Sequence, residues 1–128
     1  MSDPDETTPL PSVETGSGHV RTTGSTGQGR HRVWFERHSQ LHDDLVYIVG
    51  GGDRSHVGCV VLKVPGEESK VVTRGTHKEH HILVPIAEVA SERYGVTVVV
   101  TGGVHIDDAS PEDITLIVKN CENLHSML

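Results

Sequence analysis

The apolar residues of this chain come in short β-branched runs, each ended by glycine or by a Pro-Gly pair, and that punctuation constrains the fold more than any other feature. Leu45-Val46-Tyr47-Ile48-Val49 is stopped by Gly50-Gly51-Gly52, Val57 to Leu62 by Pro65-Gly66, and Val96 to Thr101 by Gly102-Gly103. β-branched and aromatic side chains suit a pleated surface, and runs of this length between turn residues read as strands. Two more strands are expected over Arg32 to Glu36 and over Lys70 to Thr73. The strand that opens at His56 is apolar on both sides, so both of its faces are expected to be covered, and a dimer is one way to cover them. The first four strands follow one another through hairpins, which predicts an antiparallel meander. Trp34, Phe35 and Tyr47 sit inside apolar strands and are expected in the core.

Two segments carry a helical period instead. Thr76-His77-Lys78-Glu79 matches a capping box, in which a threonine oxygen accepts a backbone N–H and the glutamate reaches back. Ile82, Ile86, Val89 and Arg93 follow at helical spacing with Ala90 alongside, and Gly95 closes the helix. Pro85 removes one hydrogen bond from that stretch, so the helix either kinks near His81 or begins at Pro85. Ser110-Pro111-Glu112-Asp113 opens the last helix with a serine cap, proline at the first position and acids toward the dipole. Its apolar face is Ile114, Ile117, Val118, Cys121 and Leu124. The fold class that follows is α+β: a mostly antiparallel sheet of about five to six strands with two helices packed on it.

Residues 1–29 are rich in Ser, Thr, Gly, Pro and acids, with isolated Leu10, Val13 and Val20. So little apolar surface does not offset the entropy of ordering, and this stretch is expected to be a disordered or loosely attached leader to one domain over residues 30–128. There are 11 Lys plus Arg against 18 Asp plus Glu, a net charge of −7, which argues against nucleic acid as a partner. No apolar run is long enough to span a bilayer, and the start lacks the basic and apolar regions of a secretory signal, so a cytoplasmic protein is expected. Cys59 and Cys121 form no Cys-x-x-Cys pair and are expected to be buried free thiols.

The 10 histidines are the unusual entry in the composition, and several stand at the borders of strands and helices. Gly50-Gly51-Gly52-Asp53-Arg54-Ser55-His56-Val57-Gly58 offers bare amide groups and Arg54 to an oxyanion, or is a plain glycine-rich hairpin. It leads into a strand, not a helix, and has no Gly-Lys-Ser/Thr ending, so neither a dinucleotide fingerprint nor a Walker loop is present. Thr76-His77-Lys78-Glu79-His80-His81 has histidine spacings that suit a divalent metal, or is a solvated helix start. Gly103-Val104-His105-Ile106-Asp107 ends a buried strand with an imidazole and a carboxylate two residues apart, an acid/base pair or metal ligands, or else a turn. No activated Ser or Cys nucleophile accompanies these groups.

In their order and with the elements between them, Gly51-Gly52-Asp53-x-x-His56-x-Gly58, His77-Lys78-Glu79 and Gly103-x-His105-x-Asp107 resemble the LpdD-like family, the small subunit associated with gallate decarboxylase. The resemblance covers roughly residues 30–125. It implies a fold like the small proteasome assembly chaperones, a homodimer, and binding of reduced prenylated FMN as cargo for a prenylated-FMN-dependent decarboxylase of hydroxybenzoates and related acids. The protein is then a non-catalytic chaperone. By position the implied cofactor-binding residues are Gly51, Gly52, Asp53, Arg54, His56, Gly58, His77, Glu79, His105 and Asp107. Other readings of the same residues are a small metal-dependent enzyme using His56, His77, His105 and Asp107, and an assembly subunit of the decarboxylase that binds no flavin.

Overall fold

The computed structural model describes residues 10–16, 19–40, 44–75 and 79–128. These contain β1 (Ser12–Gly16), β2 (His19–Thr26), β3 (Val33–Gln40), β4 (Leu45–Gly51), β5 (Arg54–Lys63), β6 (Lys70–Thr73), α1 (His80–Tyr94), β7 (Val98–His105) and α2 (Pro111–Leu124). The strands form one seven-stranded sheet in the order β1-β2-β3-β4-β7-β5-β6. The class is the α+β expected, with more strands.

The expected meander is corrected at its centre. β4 and β5 are not hydrogen-bonded neighbours: β7 enters between them, parallel to β4 through Leu45↔Val98 to Val49↔Gly102 and antiparallel to β5 through Cys59↔Gly102 to Lys63↔Val98. The run around Val98, Val99 and Val100 is among the most apolar in the chain, and it takes a position with partners on both edges.

The leader is the second difference. Residues 12–16 and 19–26, within the stretch expected to be loose, are strands, β1 pairing β2 and β2 pairing β3 along its length. Hydrogen bonds, not apolar mass, attach β2: Thr22 and Thr26 are buried, Thr26 Oγ1 donates to Asn120 O at 2.6 Å, and Thr22 Oγ1 accepts from Arg37 Nη2 at 3.0 Å. Arg37 also donates to Leu128 O at 2.8 Å, as does the Tyr47 hydroxyl at 3.1 Å.

One face of the sheet carries both helices. Val33, Phe35, Tyr47, Val61 and Val100 lie at 0% exposure against Leu83, Ile86 and Ala90 of α1 and Leu124 of α2. α1 buries Leu83, Ile86, Ala87 and Ala90, a stripe one residue round from that expected, with Ile82 and Val89 half-buried at its edge. The helix starts at His80 with Pro85 inside it, and Glu79 at the cap makes no side-chain capping bond. The expected capping box is therefore not what Glu79 does; Thr76 lies outside the described residues. Gly95 closes α1 in the left-handed conformation, φ 66°, as expected of a glycine stop.

α2 has the capping box its sequence announces, Asp113 N donating to Ser110 Oγ at 3.1 Å and Ser110 N to Asp113 Oδ2 at 2.9 Å. Ile117, Cys121 and Leu124 are buried, whereas Ile114 and Val118 are exposed, α2 packing on the sheet mainly at β2 and β3. Cys59 and Cys121 are buried and free, and burial pushes the thiols up to about 11 and about 12. Phe35 and Tyr47 are core residues, but Trp34 is half-buried on the opposite face. That face carries no helix among the described residues and exposes Val46, Ile48, Val60 and Val72. No described helix is long and apolar enough to cross a membrane.

Candidate functional site

β4 and β7 run parallel and end on the side of the sheet where β5 begins, and the chain enters both α1 and α2 from that side. The two glycine-bearing segments and Glu79 therefore meet at one end of the sheet, by two helix N-termini whose dipoles favour negative charge.

A local irregularity turns His56 out of the ladder. Ser55 pairs with Val104 and Cys59 with Gly102, so His56, Val57 and Gly58 together face Gly103 alone. His56 Nε2 reaches Glu79 Oε1 at 2.5 Å, and Glu79 is buried at 7% exposure. Two glycines make that approach possible. A Cβ at Gly58 would stand 2.6 Å from Glu79 Oε2, and one at Gly103 would stand 2.7 Å from His56 Cδ2 and 2.9 Å from Glu79 Cγ. The conformational use of glycine here is space for a buried imidazole–carboxylate pair.

The His56 and His105 rings lie 5.7 Å apart, centroid to centroid. His105 Nε2 bonds Asp107 Oδ1 at 3.0 Å, and Arg54 Nη2 donates to the same oxygen at 2.7 Å. His105 and then Arg54 hold the Asp107 carboxyl below the usual carboxylate range. Asp53 is held down likewise by Arg30, whose Nη2 donates to Oδ2 at 2.8 Å, and by the Asp107 N–H at 2.9 Å. The result is a row of two imidazoles with a carboxylate on each, Glu79·His56 and His105·Asp107. Such a row can donate, accept or exchange protons with a bound molecule at either ring.

The glycine loop works differently from the phosphate cradle offered by its sequence. Gly51 N–H donates to Ser55 Oγ at 3.0 Å, Gly52 N–H to Arg32 O at 3.1 Å and Asp53 N–H to His105 O at 2.7 Å, so these amides are already engaged within the protein. Gly51 and Gly52 have φ of 140° and 75°, and they bring β4 against Arg32 and His105. Of the expected residues, His56, Gly58, Glu79, His105, Asp107, Arg54 and Asp53 are brought together, Gly51 and Gly52 support them, and His77 lies outside the described residues. Among the described residues no group of three or more His, Cys, Asp or Glu side chains is placed to hold a metal ion.

Sequence reasoning missed Arg30, His31 and Asp113. Arg30 ties Asp53 and Asp107 O to the turn at Gly29–His31, and His31 Nε2 bonds Asp113 Oδ1 at 2.7 Å. The available signal was the Arg30-His31 pair just before β3, which belongs to none of the three motifs.

A single sheet with both helices on one face is a fold similar to that of a proteasome assembly chaperone. The solved structure "Crystal Structure of a Novel Chaperone Complex for Yeast 20S Proteasome Assembly" is similar over 85% of this chain and 96% of that chain, with a TM-score of 0.56 at 14% identity. Residues 27–128 match the prenylated flavin chaperone LpdD-like domain, and the chain belongs to that family. No curated protein matches the chain.

Proposed function

We propose that this protein is a cytoplasmic carrier with no turnover of its own, binding reduced prenylated FMN and delivering it to a prenylated-FMN-dependent decarboxylase of hydroxybenzoate type. The observation that carries the reading is the paired array Glu79·His56 and His105·Asp107 on a chain of the prenylated flavin chaperone family. The donor set fits the cargo. A reduced flavin presents ring N–H groups, ring carbonyls and a phosphate. Imidazoles oriented by carboxylates can accept from the first and donate to the second, while guanidinium groups at this end of the sheet favour the third. His56, His105 and Arg54 are assigned to contact the cargo. Glu79, Asp107 and Asp53 orient them, and Gly51, Gly52 and Gly58 give them room; His77, two residues before Glu79, is assigned to the same site. The two thiols, buried and raised well above neutral pH, supply no nucleophile.

The working unit is proposed to be a homodimer, a second copy covering the helix-free face where Val46, Ile48 and Val60 are 41%, 38% and 39% exposed. The carrier reading is tested anaerobically, by mixing the purified protein with reduced prenylated FMN, reduced FMN and oxidised FMN and following retention by absorbance and native mass spectrometry. Selective retention of the prenylated reduced form is expected. No retention overturns it, and co-purification with a decarboxylase without any flavin bound assigns the chain to assembly instead.

A further inference from the structure

On the helix-free face, β1, β2 and β3 border a groove of about 480 Å3 whose lining includes Ser12, Thr23, Ser25, Arg32 and Trp34. Small-molecule sites span about 300–1,000 Å3. The register explains the lining: Ser12 pairs with Thr23, Thr23 with Glu36, and Ser25 with Trp34, so hydroxyls from two strands stand beside the indole.

Trp34 is the chain's single tryptophan, and its neighbour across β4 is Gly50. A Cβ at Gly50 would stand 2.7 Å from Trp34 Cε2 and 2.6 Å from Ser55 Oγ, so the indole lies flat across bare backbone toward β5. Ser55 adjoins Arg54, which pairs in the ladder with His105. Trp34, Gly50 and Ser55 thus lead from the groove toward the strand that carries Arg54 and His56.

Charge in the groove is uneven. Glu36, its acid, is bonded to His38 at 2.8 Å and lies 3.7 Å from Arg21. Arg30 and Arg54 are each paired with an aspartate, whereas the exposed Arg32 forms no ion pair among the described residues. A half-exposed aromatic plane, several hydroxyls and an exposed guanidinium at one end match a planar heteroaromatic ring that carries a phosphate.

We infer that this groove binds the flavin mononucleotide cargo, its ring system stacked on Trp34 and its phosphate on Arg32. This inference rests on the carrier reading above and names a part of the site that the histidine motifs do not include.

The test uses the full chain and four variants: Arg32→Ala, Arg32→Lys, Trp34→Leu and Trp34→Phe. Anaerobic titrations with reduced prenylated FMN, FMN and riboflavin are followed by calorimetry, and melting by circular dichroism confirms that each variant is folded. Arg32→Ala is expected to weaken FMN and the prenylated cargo about tenfold and to abolish the preference for FMN over riboflavin, with Arg32→Lys restoring part of it. Trp34→Leu is expected to weaken FMN and riboflavin alike by about tenfold, with Trp34→Phe close to wild type. Cargo binding within twofold of wild type in Arg32→Ala and in Trp34→Leu overturns the groove while leaving the carrier reading in place. A wild-type chain that binds no flavin overturns both.

Discussion

A methyl group at residue 58 has no room while Glu79 faces His56, since it would stand 2.5 Å from the carboxylate carbon. Gly58→Ala therefore forces the buried carboxylate off the imidazole. Overpacking of this kind costs about 1–3 kcal/mol, read as a lower urea midpoint, and cargo retention is expected to fall with it. An unchanged midpoint with full retention would show that the pair does not depend on that gap. The sequence made Gly58, His56 and Glu79 conspicuous, and the first motif contains two of them. It did not show that they touch. Glu79 read as a capping residue because the local rule is satisfied by spacing alone, whereas the contact with His56 is made across 23 residues by a bulge whose position no local pattern specifies.

At the scale of elements, the start of α2 is the part most fully legible. Ser110, Pro111 and Asp113 act within one turn, so the capping box forms as written. The His31 ring, followed by the Ser110 N–H, pulls the Asp113 carboxyl down to about 2. A carboxylate lowered on folding contributes stability that is fully present above its ordinary value near 4 and is lost as pH falls toward about 2. The urea midpoint is thus expected to drop between pH 5 and pH 2, and Asp113→Asn to flatten that part of the profile; a variant with the wild-type slope would refute the assignment. α1 was less legible, because Pro85 admits two starting points by local rules and packing chose the earlier one. Leu83 and Ile86 are fully buried, and that burial holds the helix through the proline from His80 onward.

The described residues present one helix-covered face and one face without a helix, and an exposed apolar band at the centre of a sheet is a surface to be covered. Ile48→Lys, on the bare face, is expected to leave the fold intact and halve the mass measured by light scattering. A wild-type chain that is already monomeric, or a variant that stays dimeric, removes this face as the dimer surface. The sequence by itself determined the short strands, the glycine stops, the cap of α2, the two buried thiols and the α+β class, because each depends on residues within a few positions of one another. Only the tertiary structure decided that β7 lies between β4 and β5, that residues 12–16 and 19–26 join the sheet, that the glycine amides are engaged internally, and that Trp34 faces outward beside the exposed Arg32. The physical reason is common to all four: strand order and face are set by pairing between residues far apart in the chain. Periodicity fixes which residues share a face, but not which strand lies alongside or which face the helices cover.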